Sequence, residues 1–144
     1  MFSKLLIAFL LMASCVAIHA MGLVAIFRTM QLRLPLAAPG FWRSTRWLIR
    51  IAGWTVLLHL LQILAWAALY VLRGAMPDLT TAAYFSAVTY TTTGYGDLVL
   101  PEEWRLVGGV EALTGILMCG LSTGMFFVVF SRIFHLDRGS RAFP

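Results

Sequence analysis

Hydrophobic and polar positions along this chain are grouped on the scale of whole membrane spans. Three long apolar runs extend over Leu5 to Phe27, Trp47 to Leu72 and about Trp104 to Phe134. At about 1.5 Å per residue, each run can cross a hydrocarbon core about 30 Å thick. A fourth apolar run, Thr80 to Thr91, is too short to span, at about twelve residues. The pattern predicts an all-α membrane protein with three transmembrane helices and one re-entrant helix.

A polar, glycine-containing stretch follows the short run: Thr91-Thr92-Thr93-Gly94-Tyr95-Gly96-Asp97. Irregular backbone at membrane depth is tolerated only where protein buries it or where it lines an aqueous path. The two glycines permit torsions closed to other residues, so successive carbonyls can turn toward one axis, and the threonines add hydroxyl oxygens. A file of such oxygens can replace the hydration shell of a monovalent cation. The stretch therefore predicts a cation path, and the alternative is an ordinary loop between two membrane helices.

The same stretch resembles a known motif. Thr92-Thr93-Gly94-Tyr95-Gly96 is similar to the Thr-Val-Gly-Tyr-Gly selectivity filter of potassium channels, with Thr93 in the valine position, and Asp97 matches the Asp that commonly follows it. The chain from roughly Trp47 to His135 resembles the outer helix–pore loop–inner helix module of small bacterial-type potassium channels. The resemblance implies that K⁺ binds the Thr92 hydroxyl and the carbonyls of Thr92, Thr93, Gly94 and Tyr95. It also implies that the Tyr95 side chain faces away from the ions, against the pore helix.

The resemblance divides the chain into three parts. Residues 1–45 would hold an extra N-terminal transmembrane helix and a cytoplasmic linker. Residues 46–135 would form the ion channel pore domain, which comprises an outer helix (46–72), a pore helix (80–91), the filter (92–97) and an inner helix (103–134). Residues 136–144 would form a short basic cytoplasmic tail. The tail has no room for a nucleotide- or calcium-binding domain, so we expect no fused ligand-binding module.

The first apolar run has two interpretations. Lys4 and the small residues before Met21 suggest a cleaved signal peptide. The apolar pattern nevertheless continues through Phe27, whereas the apolar region of a signal peptide has about 7–15 residues. Arg28 and Arg33 then end the run, so we expect a retained helix.

Composition and charge support a membrane protein. Of 144 residues, 60% are hydrophobic and 12% are charged, against about 25% charged in a typical soluble domain. The net charge of +5 does not indicate nucleic-acid binding, because the arginines cluster at the ends of apolar runs. No Cys/His cluster has metal-ligand spacing and no nucleophile–base pair is evident. We expect no enzyme, no cofactor other than K⁺ in the pore, and no soluble partner.

The distribution of the arginines predicts the orientation. The 28–50 segment and the tail carry eight arginines against Asp137. The other side carries Lys4, Arg73 and Arg105 against four acidic residues. The positive-inside rule puts the arginine-rich side in the cytoplasm. We therefore expect a multi-pass protein of the cell (inner or plasma) membrane, with the N-terminus outside, the C-terminus in the cytoplasm and the filter mouth outward. The arginines lie at the edge of a span, which argues against a voltage sensor.

One chain supplies one filter strand, and K⁺ filters use four. Closed rotational symmetry supplies the others, so we expect a homotetramer with a central pore in the bilayer. The predicted function is passive, potassium-selective conduction through Thr92–Gly96. Two alternatives stay open: a weakly selective cation channel, because Thr93 departs from valine, and a non-conducting membrane partner subunit.

Support for the filter is expected from three residues. Some potassium channels place a Glu in the pore helix, where Val88 stands here, to pair with the filter's Asp. Tyr84 could reach Asp97 through its hydroxyl instead. Glu111 lies about two turns into the last helix, where burying a carboxylate costs about 2.5–3.5 kcal/mol. We expect it to buffer the filter, to face the cavity or to make an interhelical bond, with a pore-helix hydroxyl such as Thr89 or Thr91, an outer-helix histidine or a proton as its partner.

Two further sets of residues are functional hypotheses. Gly115 is the better match to the inner-helix position where the family bends to open its gate, Gly120 is the second candidate, and the alternative for both is close packing. His19 and His59 are intramembrane ionisable residues, either a pH sensor or a hydrogen bond that joins the first two helices. His59 and Gln62 are three residues apart and share a helical face.

Overall fold

The computed structural model describes residues 2–33 and 40–141, with side chains described for 2–30 and 40–132. The described chain is helical. It consists of α1 (Phe2–Arg33), α2 (Phe41–Leu72), α3 (Leu79–Tyr90), a 3-10 turn (Glu102–Trp104) and α4 (Arg105–Arg141). Three segments are long and apolar enough to cross a membrane: Phe2–Met30, Phe41–Leu72 and Glu102–Arg132. The prediction of an all-α protein with three transmembrane helices and a short fourth helix is confirmed.

The helix ends differ from the predicted bounds. α2 begins at Phe41 rather than at residue 46, and α4 continues to Arg141 rather than ending at residue 134. The predictions ended each helix where the apolar run ended, but intrahelical backbone bonds do not require apolar side chains. The backbone of the predicted tail is therefore largely helical. Pro35 and Pro39, and the side chains of Arg33, His135, Asp137, Arg138 and Arg141, lie outside the described residues.

A tight connection sets the position of α3. Gly74 adopts a φ of 68° after α2, and the Ala75 N–H donates to the Tyr70 carbonyl at 2.8 Å. Such a left-handed residue closes a helix C-terminus. Asp78 then caps α3, accepting hydrogen bonds from the Thr81 N–H at 2.9 Å and the Thr81 hydroxyl at 2.7 Å. Gly74 and Asp78 therefore set where α2 ends and where α3 begins.

α4 presents two different faces. Its buried positions recur every three or four residues, a spacing that places them on one helical face. They include Val107, Glu111, Thr114, Met118 and Ser122. Large apolar side chains on the other face are exposed, including Leu113, Ile116, Leu117 and Leu121. The buried face packs against α1, α2 and α3, so the polar residues Glu111 and Ser122 point into the bundle.

Contacts at the two ends of the bundle fix the relative direction of the spans. The Lys4 ammonium lies 3.7 Å from the Glu103 carboxylate and 4.5 Å from the centre of the Trp104 ring. Met30, Ile51 and Val129 form a separate cluster at the opposite end. The N-terminus of α1 is thus beside the start of α4, at the end of the bundle to which the filter returns.

Candidate functional site: the filter loop and the polar groups behind it

The backbone after α3 alternates in handedness. Thr92, Gly94 and Gly96 have φ values of 59°, 57° and 76°, whereas Thr91 has a φ of −77°. Thr93 and Tyr95 between them are not in the positive-φ region. Positive φ at every second residue, which glycine permits, can turn successive carbonyls toward one axis. The carbonyls of this segment can therefore form one row, which an extended strand cannot provide.

Thr92 adopts this left-handed conformation although it is not a glycine. Left-handed torsions cost a non-glycine residue about 1–2 kcal/mol, and such strain concentrates at functional sites. The cost is offset by the hydrogen bonds that follow from the conformation: the Thr92 N–H donates to the Thr89 carbonyl at 2.9 Å, and the Thr93 N–H donates to the Val88 carbonyl at 2.9 Å. The Gly94 N–H also reaches the Val88 carbonyl, at 3.3 Å.

These hydrogen bonds engage the N–H groups of the filter but not its carbonyl oxygens. Among the described residues, no hydrogen bond is accepted by a carbonyl from Thr92 to Gly96. The Thr91 hydroxyl donates to the Ala87 carbonyl at 2.7 Å and meets the Thr93 hydroxyl at 2.9 Å. The hydroxyl that distinguishes Thr93 from valine is therefore held by the end of the pore helix. The segment 91–97 is exposed in the single chain, so its oxygens are available to ions.

Tyr95 departs from one expectation. Its side chain is 71% exposed in the single chain. The packing against the pore helix implied by the resemblance is therefore not formed within one chain.

Tyr84 and Asp97 meet as the sequence suggested. The Tyr84 hydroxyl donates to Asp97 Oδ2 at 2.7 Å. This bond lowers the pKa of the Asp97 carboxyl from its ordinary value and raises the pKa of the Tyr84 hydroxyl. Because Tyr84 is on α3 and Asp97 follows the last filter glycine, the bond ties the outer end of the filter to the pore helix. The predicted contact is confirmed.

Glu111 is fully buried, with 0% of its surface exposed. The Tyr70 hydroxyl of α2 donates to Glu111 Oε2 at 2.7 Å. Ser86 of α3 lies beside the carboxyl, but among the described residues neither Ser86 Oγ nor Glu111 Oε1 has a hydrogen-bond partner. The Tyr70 ring lies edge-on to Phe85 of α3, with the ring centres 5.5 Å apart. Glu111 therefore links the inner helix to the outer helix and to the pore helix.

The observed hydrogen-bond donor of Glu111 is Tyr70, so the expected partners Thr89, Thr91 and an outer-helix histidine are wrong, whereas a different pore-helix hydroxyl, Ser86, does lie beside the carboxyl. The complete burial of Glu111 in the single chain favours a role inside the bundle over a cavity-facing one. The missed donor had a signal in the sequence. Gln62, Trp66 and Tyr70 are four residues apart, so they share a helical face, and all three are buried.

The two inner-helix glycines differ in their surroundings. A Cβ added to Gly115 would overlap the carbonyl oxygen of Tyr90, whereas a Cβ added to Gly120 would meet no atom within 4 Å. The backbones of α4 and α3 therefore touch at Gly115, just before the filter begins. Close packing explains Gly115, and the hinge role of either glycine stays a prediction.

Both deep histidines belong to one hydrogen-bonded cycle, which we call the five-residue ring. His19 Nε2 lies 2.9 Å from Ser122 Oγ, which lies 3.1 Å from His59 Nε2. His59 Nδ1 lies 3.1 Å from the Tyr90 hydroxyl, which donates to Gln62 Oε1 at 2.6 Å. Gln62 Nε2 lies 2.9 Å from His19 Nδ1 and closes the cycle.

The five-residue ring joins α1, α2, α3 and α4. The shared face of His59 and Gln62 is confirmed, since both contact the Tyr90 hydroxyl. The sequence interpretation did not connect Tyr90 and Ser122 to the histidines, because the residues that they contact lie on other helices. An interhelical hydrogen bond was the expected structural alternative, and the ring extends it to the pore helix and the inner helix.

Comparisons with known proteins agree with this geometry. A family model described as "Ion channel" matches residues 56–132, more than half of the chain. Over 63 residues the chain is 42% identical to the "Potassium voltage-gated channel protein Shal" of Drosophila melanogaster, a match that covers 42% of this chain and 11% of that protein. No solved structure matches the chain. The chain belongs to the ion channel family and has the pore module of a potassium channel.

Proposed function

We propose that the chain is the subunit of a potassium-selective channel that conducts K⁺ passively through Thr92–Gly96. The observation that carries the proposal is the alternating backbone of Thr92, Gly94 and Gly96, with its carbonyls left without hydrogen bonds. The carbonyls of Thr92, Thr93, Gly94 and Tyr95, together with the Thr92 hydroxyl, would replace the hydration shell of the ion. The C-terminal end of α3, which precedes the filter, adds the negative end of a helix dipole that favours a cation.

A homotetramer follows from the single filter strand that each chain supplies. Two features of the single chain support it: the exposed Tyr95 ring and the exposed apolar face of α4. In the tetramer this α4 face lines the pore and contacts neighbouring subunits. The extra helix α1 lies on the periphery of the pore domain.

The arginine distribution supports an orientation with the N-terminus outside and the C-terminus in the cytoplasm. The contact between Lys4 and Glu103 is consistent with it, because it puts the N-terminus and the filter mouth at one end of the bundle. Asp97, Tyr84 and Glu111 act as supports of the filter, and Gly115 and Gly120 are the positions where the inner helix can bend. No cofactor is required.

A weakly selective cation channel is the second proposal, and Thr93 is the observation that favours it. The Thr93 hydroxyl bonds to Thr91 rather than lying against apolar neighbours as a valine would. A looser filter would discriminate less between K⁺ and Na⁺.

Purified protein in liposomes, with K⁺ on one side and Na⁺ on the other, tests both proposals. A selective K⁺ channel sets the reversal potential close to that of K⁺. A reversal potential near zero supports the weakly selective channel. No flux in the wild-type protein contradicts conduction and favours a non-conducting partner subunit.

A further inference from the structure

The donors and acceptors of the five-residue ring can be assigned around the whole cycle. The Tyr90 hydroxyl donates to Gln62 Oε1, so its oxygen accepts the proton of His59 Nδ1. The Gln62 amide nitrogen donates to His19 Nδ1, so the His19 proton is on Nε2 and is donated to Ser122. Ser122 then donates to His59 Nε2. Gln62 Nε2 is also 3.5 Å from the Cys15 carbonyl, which favours this orientation of the amide.

In this assignment every member donates once and accepts once, and both imidazoles are neutral. A proton added to His19 would put an N–H at Nδ1, facing the Gln62 amide N–H. A proton added to His59 would put an N–H at Nε2, facing the Ser122 hydroxyl. Either event places two donors against each other, so one hydrogen bond of the ring must open or turn.

The surroundings offer no compensation for an imidazolium. The His19 and His59 ring centres are 4.9 Å apart, so each would repel a charge on the other. The other titratable groups nearby are Cys15 of α1, Tyr90 of α3, and Cys119 and Glu111 of α4. Among the described residues the hydrogen-bond partner of Glu111 is Tyr70, and no carboxylate contacts either imidazole.

The position of Tyr90 connects the ring to the pore. Tyr90 is the last residue of α3, and Thr91 to Thr93 follow it directly. Its carbonyl oxygen touches α4 at Gly115, and its hydroxyl is held by the ring. Opening the ring therefore frees the side chain that anchors the end of the pore helix, next to the first filter residues.

We propose that the five-residue ring is a proton-operated link between α1 and the filter, which supports conduction when closed and reduces it when opened by acid. An ordinary imidazole is mostly neutral above about pH 6.5, and burial without a compensating partner makes protonation harder still, so the ring is closed near neutral pH and opens only at clearly lower pH. The proposal assigns α1 a regulatory role, since His19 closes the cycle. Its effect on conduction rests on the proposed function, but the ring itself can be tested without any ion flux.

The first test determines which ring nitrogen of each histidine carries a proton. His135 is changed by His135→Gln, so that His19 and His59 are the remaining histidines, and ¹⁵N-histidine NMR is recorded in bilayers at several pH values from about pH 7.5 down to about pH 4, more than two units below the ordinary imidazole value. We expect one neutral imidazole protonated on Nε2 and the other on Nδ1 at the highest pH. Ser122→Ala should abolish this pair of fixed tautomers. Thr123→Ala is the matched control, because the Thr123 hydroxyl bonds to the Cys119 carbonyl of its own helix. Two imidazoles that exchange freely between tautomers in the wild type would overturn the proposal.

The second test measures K⁺ flux in liposomes over the same pH range. In the wild type and in Thr123→Ala we expect flux to fall at least about fivefold on acidification, the lower end of typical allosteric coupling. The double variant His19→Gln, His59→Gln should lose this dependence. Flux that does not change with pH in the wild type overturns the proton-operated link and leaves the proposed conduction intact. No flux at any of these pH values contradicts the proposed function instead, and the NMR result still decides whether the ring exists.

Discussion

The Tyr84 hydroxyl lies 2.7 Å from Asp97 Oδ2 and donates a hydrogen bond to it. The two residues are separated by the end of α3 and the whole filter, so the bond closes the loop that the filter forms. Val88 stands where some potassium channels have a pore-helix Glu that pairs with the Asp. The apolar Val88 side chain cannot pair with Asp97. The Val88 carbonyl accepts a hydrogen bond from the Thr93 N–H.

Tyr84→Phe should therefore destabilise the conducting filter while leaving the fold intact. Both partners are exposed in the single chain, so the variant leaves no polar group buried. We expect sustained K⁺ current to fall more in Tyr84→Phe than in Phe85→Leu, the matched change at the neighbouring position. The reverse order would argue against a role for the Tyr84–Asp97 bond in the filter.

The pH dependence of this bond follows from the two pKa shifts. The pKa of Asp97 is lowered by Tyr84, so its contribution is complete above its ordinary value of about 3.9 and is lost as the pH falls through the lower folded value. The pKa of Tyr84 is raised, so its contribution is complete below about pH 10 and is lost at higher pH. The acid response of Tyr84→Phe between about pH 7.5 and about pH 5 should match that of the wild type. A changed response over that range would assign it to Asp97 rather than to the five-residue ring.

Substitution of Gly94 tests the alternating backbone conformation of the filter. A Cβ on Gly94 meets no atom within 4 Å, and neither does a Cβ on Gly40. The two glycines differ in φ, which is 57° at Gly94 and −56° at Gly40. Gly94→Ala should cost about 1–2 kcal/mol in backbone strain and abolish K⁺ selectivity, whereas Gly40→Ala should conduct as the wild type does. Reversal potentials in liposomes compare them, and unchanged selectivity in Gly94→Ala would contradict the proposed filter conformation.

The sequence predicted the elements of this protein better than their contacts. Run length and hydropathy were enough to predict three spans and a short helix. The motif Thr92–Gly96 was enough to predict the pore module. Both predictions succeeded because these features are local in sequence. The donor for Glu111 depends on which α2 face meets α4, and no residue pattern within α4 specifies that face. For the same reason His19 and His59 were identified one by one, whereas the cycle through Tyr90 and Ser122 requires all four helices to be in place.

Gly115 should tolerate substitution less well than Gly120. The atom that a Cβ would meet at Gly115 is the Tyr90 backbone carbonyl, which cannot rotate away, whereas Gly120 has open space. Gly115→Ala should push α4 away from the pore helix and destabilise the protein by about 1–3 kcal/mol. Thermal unfolding in detergent, compared between Gly115→Ala and Gly120→Ala, measures the difference. Equal stability of the two variants would contradict backbone contact at Gly115.

Two conservative variants test the hydrogen bond between the Tyr70 hydroxyl and the Glu111 carboxyl. Tyr70→Phe removes the hydroxyl that reaches Glu111 Oε2 and leaves a buried carboxyl without its hydrogen bond. A loss of this kind costs about 1–3 kcal/mol, and more for a charged group. Glu111→Gln keeps an oxygen that can accept from Tyr70, so it should cost less.

The two variants also distinguish a support of the filter from a residue that lines the cavity. Because Glu111 is buried between α4, α2 and α3, both variants should change gating or selectivity and leave single-channel conductance near the wild-type value. Tyr70→Phe should have the larger effect on both stability and gating, since it alone removes the donor. Single-channel recordings of the reconstituted variants measure the conductance. A lowered conductance in Glu111→Gln with normal gating would place the carboxylate in the ion path and contradict its role behind the pore helix.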